Sequence, residues 1–351
     1  MKFLYLLEKI RNPVFDFIFS LITHIGEETV FLVLAILFFW CINKREGYYI
    51  LITGLVGTLA NQFLKLICKI PRPWVKDPSF TIVESAKEQA TGYSFPSGHT
   101  QNVAGTFGAI GAWYSKKWVR ITAISIIVLV AFSRMYLGVH TPWDVLASLG
   151  IAAALVIGLH PLFKNEERFN KFMPYIVGIS FALAFAFVMY VIYAPGYTFS
   201  DANYKSAVKN AYTIFGCTLG LLAVYTFDRL YINFDTKAPW YAQIIKLAVG
   251  LGAVIGIKVG LSSPLVSLFG SEYTARAFRY LLIVIFAGIL WPLTFKYFAK
   301  MKIKCLDNFG VKVRCIFDKE LRATVEAEKA AAAKTVTKAK KSVKKKKKKK
   351  K

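Results

Sequence analysis

Acids are scarce in this sequence: 20 Asp and Glu stand against 46 Lys and Arg, with four histidines and five cysteines in 351 residues. With no cluster of carboxylates there is no ready metal cage, and neither a cofactor nor a structural metal is expected. The five cysteines do not make a disulfide framework either. Cys41, Cys68 and Cys217 fall within or at the ends of apolar runs, where a thiol packs as a small hydrophobe. Cys305 and Cys315, with nine residues between them, suit neither a zinc knuckle nor a redox pair. Charge of both signs makes up only 19% of the chain and hydrophobic residues 56%, against roughly 25% and 45–50% in soluble domains. That excludes disorder for most of the chain. It also leaves more apolar residue than a soluble interior of this size can hold.

What is abundant is positive charge, +26 overall. Residues 334–351 carry 12 lysines and no acid, which leaves +14 on residues 1–333, spread in short patches between long apolar stretches. This is the pattern of a polytopic membrane protein whose cytoplasmic loops collect Lys and Arg. It is not the pattern of a single nucleic-acid-binding face, and no specific nucleic acid is expected as a partner.

A span needs about 20 mainly apolar residues. Candidates lie near 26–42, 47–68, 98–115, 119–137, 143–163, 173–194, 207–227, 240–261 and 277–297. The expected fold is therefore all-α, a membrane helical bundle with about nine transmembrane helices. Lys44 and Arg45, then Lys116, Lys117 and Arg120, then Lys164, Arg168 and Lys171 follow the first, third and fifth spans, which places those loops in the cytoplasm. Nine spans put the C-terminal tail in the cytoplasm as well. Six of the seven tryptophans fall near predicted span ends, where interfacial anchoring is expected, and Lys246 and Lys258 read as snorkelling residues. In residues 1–14, Phe3, Leu6, Leu7, Ile10 and Val14 share one helical face, which predicts a helix lying in the membrane interface.

Three polar clusters interrupt this pattern. Lys65 and Arg72-Pro73 close the second span, Pro96-Ser97-Gly98-His99 opens the third, and Ser133-Arg134, His140 and Asp144 join the fourth to the fifth. By alternation of spans all three share one face, the outer one. Three cations near two helix N-termini make a site for a dense anion such as a phosphoryl group. Backbone N–H groups and the Ser97 hydroxyl can hold further oxygens. Two histidines add a nucleophile and a proton donor, and Asp144, four residues after His140, can fix its tautomer. Each element also has a plainer reading. Thr141-Pro142-Trp143-Asp144 is a helix-capping sequence, Pro96-Ser97 starts a helix, and Lys65 and Arg72 could be snorkelling anchors. Caps and anchors do not require two histidines, an acid and three cations on one face.

Lys65-x6-Arg72-Pro73, Pro96-Ser97-Gly98-His99 and Ser133-Arg134-x5-His140-x3-Asp144 resemble the three signature motifs of the type 2 phosphatidic acid phosphatase superfamily, over about residues 20–165. The resemblance implies a metal-independent phosphatase. In it His140 is the nucleophile that forms a phosphohistidine, Asp144 orients it, and His99 protonates the leaving group and then activates water. Lys65, Arg72, Ser97, Gly98 and Arg134 hold the phosphate. The implied substrate is a membrane lipid phosphate monoester or a polyprenyl pyrophosphate, hydrolysed at the outer membrane face. Phosphotransfer to an alcohol, hydrolysis of a sugar phosphate, and a non-enzymatic phosphate-binding transporter or scaffold remain alternatives.

The expected organisation is an interfacial helix over 1–19, a catalytic membrane domain over 20–165, further transmembrane helices over 166–300 and a cytoplasmic tail over 301–351. The polar segment 74–95 is expected to be a solvated loop or a lid over the site. Gly216-x3-Gly220 and Gly252-x3-Gly256-x3-Gly260 permit close helix packing, within the chain, in a homodimer or against an accessory subunit. Residues 320–333 should be helical. The polylysine end should be disordered and drawn to anionic lipid headgroups.

Overall fold

A computed structural model of the chain describes residues 1–88, 90–193, 201–303, 306, 309–310 and 323–328. The polylysine end, Cys305, Cys315 and most of 311–333 lie outside the described residues; within 320–333, residues 323–328 are helical. Helix dominates because apolar backbone in a membrane must satisfy its own N–H and C=O groups. The chain divides into a large unit, residues 1–237 and 245–296, and a small one, residues 238–244 and 297–351. In the small unit the Tyr241 hydroxyl donates to the Met301 carbonyl and accepts from the Ile303 N–H, and Trp240 packs beside Phe309.

The large unit begins with α1 (Lys2–Lys9) and α2 (Pro13–Thr23). The single interfacial helix expected at the N-terminus is broken here. Asn12 caps α2, accepting from the Val14 and Phe15 N–H groups, and Pro13 occupies its first position. Phe3, Leu6, Ile10 and Val14 stay exposed, as a membrane-facing stripe requires, while Leu4 and Leu7 turn inward. The polar residues of this region are not idle. Tyr5 donates to Asp77, Arg11 donates to the Thr81 carbonyl, and Glu8 accepts from the Thr81 N–H. Residues 1–11 thus fasten the loop that follows the second span.

Next come α3 (Glu28–Leu37), which runs on as a π-helical turn to Ile42, and α4 (Lys44–Cys68). After the short α5 (Pro73–Lys76) come α6 (Gly98–Trp113), α7 (Lys117–Tyr136), α8 (Pro142–Lys164) and α9 (Glu166–Tyr193). They are followed by α10 (Ala202–Phe227), α11 (Trp240–Gly260), α12 (Ser262–Phe269), α13 (Glu272–Ile285) and the short α14 (Phe295–Ala299). Among the described residues, seven helices are long and apolar enough to cross a membrane. The segments Pro13–Gly26 and Glu28–Ile42, bent by 48°, make up to an eighth span. The remaining expected segment, the third, 98–115, is α6. At 16 residues, about 24 Å, it is short for a span and is packed between α4, α7 and α8.

Two further expectations change. Trp40 is fully buried, donating to the Ala287 carbonyl and packing against Trp291 and Phe295, so it is no interfacial anchor. Trp118 and Trp143 do stay exposed. Lys246 does not snorkel. It is fully buried, donates to the Thr236 carbonyl at 3.1 Å and lies over the Phe295 ring.

Candidate active site

The site forms where α4 and α7 end and α6 and α8 begin. Lys69 closes α4 in the left-handed conformation, so the chain turns back within one turn of Lys65. The returning loop supplies carbonyls rather than side chains. Lys65 Nζ donates to the Tyr93 carbonyl. Arg72 donates through Nε to the Gly92 carbonyl at 3.1 Å, through Nη2 to Thr91 at 2.8 Å and through Nη1 to Val139 at 3.0 Å. Residues 91–93 are therefore a strap that orients two cations. Lys65 and Arg72 are 7% and 6% exposed, too buried for snorkelling anchors.

Ser97 caps α6 and accepts from the Thr100 N–H and hydroxyl. The starts of α6 and α8 are tied together: the Ser97 N–H donates to the Asp144 carbonyl at 3.1 Å. Ser148 donates to the carbonyls of both Ser97 and Asp144. This lock holds the N-terminus of α6, and with it Gly98 and His99, at a fixed distance from the α7–α8 turn.

That turn carries His140. Gly138 sits at φ +82°, a conformation that disfavours a side chain. The Arg134 carbonyl accepts the N–H groups of both Val139 and His140. His140 is 2% exposed; its Nδ1 lies 3.4 Å from Asp144 Oδ2 and its Nε2 accepts from Arg72 Nη1 at 2.9 Å. Because a guanidinium only donates, Nε2 is the acceptor and the imidazole proton sits on Nδ1, toward the carboxylate. Burial first, then the charges of Arg72, Arg134 and Lys65, push the His140 imidazole well below its usual range, so it is neutral. Asp144 also completes a capping box with Thr141. The same carboxylate oxygen that caps the helix lies beside the His140 imidazole.

Arg134 is fully buried. Its Nη1 donates to Thr23 Oγ1 at 2.6 Å, and its Nε and Nη2 have no hydrogen-bond partner among the described residues. These groups surround a cavity of about 350 Å³ whose wall includes Lys65, Arg72, Gly98, His99, Arg134 and His140. Six of the eight residues singled out by sequence line it. Ser97 and Asp144 stand behind the wall as the cap of α6 and the partner of His140.

Several participants carried no motif. Ser94 donates to Asp144 Oδ2 at 2.6 Å, Ser148 ties the two helix starts, and Thr23 holds Arg134. Thr58, Asn61, Gln62, Gln101 and Asn102 line the inner part of the cavity. The signal available was polarity inside apolar spans, since an uncharged amide within a membrane helix is itself a functional candidate.

Comparison with known proteins places the chain in a family. Residues 45–168 match the model of the PAP2 superfamily, and residues 212–302 match that of the PAP2 superfamily phosphatase transmembrane extension. Phosphatidylglycerophosphatase B of Bacillus subtilis (strain 168) is 30% identical over 175 residues, covering 46% of this chain and 82% of that protein. The chain belongs to the PAP2 superfamily. It is a multi-pass membrane phosphatase of the phosphoric monoester or diphosphate hydrolase type. Undecaprenyl-diphosphatase BcrC of Bacillus subtilis (strain 168) is 28% identical over 173 residues, 48% of this chain and 84% of that protein. Lipid phosphate phosphatase delta of Arabidopsis thaliana is 23% identical over 285 residues, 77% of this chain and 65% of that protein, so the likeness reaches past the signature region. No solved structure gives a significant match.

Proposed function

We propose that this PAP2 phosphatase hydrolyses a lipid phosphate monoester or a polyprenyl pyrophosphate at the outer face of the membrane through a phosphohistidine, with no metal. The observation that carries the reading is the seating of His140 between Asp144 and Arg72 at the wall of a cationic cavity. The relatives named for phosphatidylglycerophosphate and undecaprenyl diphosphate support a membrane-anchored substrate.

In the first step His140 Nε2 attacks phosphorus, the P–O bond to the leaving group breaks, and His99 gives that oxygen its proton. In the second, His99 as base takes a proton from water, whose oxygen attacks phosphorus. The P–N bond breaks, inorganic phosphate leaves and neutral His140 returns. Lys65, Arg72 and Arg134 supply the charge that stabilises the transferring phosphoryl group, with the Gly98 N–H and the Ser97-capped start of α6 beside them. Asp144 holds the imidazole tautomer and stabilises the cation formed as Nε2 bonds to phosphorus.

Sidedness follows from charge. Lys44 and Arg45, Lys116 and Lys117, and Lys164 lie at the helix ends opposite those that carry the site, and short basic loops stay cytoplasmic. The tail over 301–351 is then cytoplasmic, where its lysines meet anionic headgroups. A homodimer through the exposed glycine face of α11 is part of the same proposal. The deciding experiment is phosphate release from lipid phosphates by purified protein in EDTA, with acid-labile phosphoenzyme trapped from a radiolabelled substrate. Wild-type protein is expected to release phosphate and label at His140. Loss of activity in EDTA, or normal turnover by His140→Ala, would sink the mechanism.

A further inference from the structure

The inner part of the cavity is built unlike its mouth. Thr53, Gly57, Asn61 and Lys65 recur every fourth residue, so they form one stripe along α4, and that stripe faces α6. Gly57 leaves room for the Gln101 amide: a Cβ at Gly57 would come within 2.5 Å of Gln101 Nε2. Asn61 and Gln101 are each 1% exposed, both line the cavity, and neither the oxygen nor the nitrogen of either amide has a hydrogen-bond partner among the described residues. Four unpaired amide atoms inside a membrane bundle are costly unless something polar enters to meet them.

Their position says what enters. Asn61 is one helical turn inward from Lys65, and Gln101 nearly one turn inward from Gly98, so they lie about 6 Å and about 4.5 Å deeper than those groups at the phosphate end. Amides give a donor and an acceptor but no charge. A second phosphate at that depth would meet no cation from them, and the same wall carries the carboxyl groups of Glu27 and Glu28. A hydroxyl, ester or amide attached within a few bonds of the phosphate would meet matched partners.

We infer that Asn61 and Gln101 form a selectivity subsite for a neutral hydrogen-bonding group beside the phosphate. The substrates favoured are then monoesters of glycerolipid or amino-alcohol type over plain alkyl phosphates and polyprenyl diphosphates. This rests on the phosphatase reading above and sharpens its substrate class. The test compares kcat/KM for dioctanoyl phosphatidate, dodecyl phosphate and farnesyl diphosphate in detergent, for wild type, Asn61→Leu and Gln101→Leu. Wild type is expected to favour phosphatidate by about tenfold or more, and each variant to bring that ratio toward one. A wild type without the preference, or folded variants that keep the full ratio, overturns the subsite. If the Leu variants do not fold, the wild-type ratio decides alone. Release from none of the three above the His140→Ala background overturns the phosphatase reading and the subsite with it.

Discussion

Asp144 Oδ2 lies 3.4 Å from His140 Nδ1 while accepting the Thr141 N–H at 2.7 Å and the Ser94 hydroxyl at 2.6 Å. One oxygen therefore starts α8 and lies beside the proposed nucleophile, and the capping duty can be separated from the proposed orienting one. Thr141→Ala removes the other half of the capping box and is expected to cost about 1 kcal/mol of stability while leaving the carboxylate facing His140. Asp144→Asn keeps the shape but puts an amide where the imidazole N–H needs an acceptor. It is expected to lower kcat by about 10³- to 10⁴-fold. Thermal unfolding and turnover measured on the same samples distinguish these. Equal kcat losses in the two variants would reduce Asp144 to a cap.

The pH behaviour of His140 follows from its setting in the turn between α7 and α8. Burial and the cations around it depress its pKa well below the ordinary value, about 6.5 for a free imidazole. The folded protein thus holds fewer protons here than the unfolded chain does just below that pH. Stability from this group is present above about pH 6.5 and is lost as pH falls toward the depressed pKa. The ¹⁵N shifts of His140 in labelled protein are expected to stay those of a neutral imidazole down to about pH 6. A titration midpoint near the free value would contradict the depression.

Arg134 shows how much of the site could be read from sequence and where reading stopped. A guanidinium or ammonium inside an apolar run is conspicuous, so Arg134, Arg72 and Lys65 stood out, as did the histidines. Thr23, which positions Arg134, is 111 residues away and lies at the end of a helix that the apolar stripe of residues 3–14 had masked. That stripe keeps a helical period across Asn12-Pro13, so periodicity outweighed a cap signal in plain view. The loop at 91–93 was legible as polar but not as a strap, because it acts through backbone carbonyls that any residue supplies.

The same pair gives a prediction. Arg134 cannot be replaced by Lys without losing the planar fork that reaches Thr23 and still presents two further donors. Arg134→Lys is expected to raise the inhibition constant for vanadate by about tenfold or more, and Thr23→Val to raise it less, by loosening the guanidinium. The inhibition constant is read from turnover at rising vanadate. Unchanged vanadate sensitivity in Arg134→Lys would remove Arg134 from phosphate binding.

The two glycine motifs part company in the folded chain. A Cβ at Gly216 would fall 2.1 Å from the Ala277 carbonyl oxygen, a backbone atom of α13 that cannot step aside, so this motif is packing within the chain. A Cβ at Gly256 meets nothing within 4 Å among the described residues. Gly216→Ala is therefore expected to destabilise by about 1–3 kcal/mol through overpacking, lowering the unfolding temperature in detergent. Gly256→Leu should leave that temperature unchanged, because the added side chain projects from an open helix face. If the α11 face joins two copies, Gly256→Leu should also abolish the crosslinked dimer in membranes while Gly216→Ala keeps it. Identical crosslinking in Gly256→Leu and wild type would confine close helix packing to the single chain.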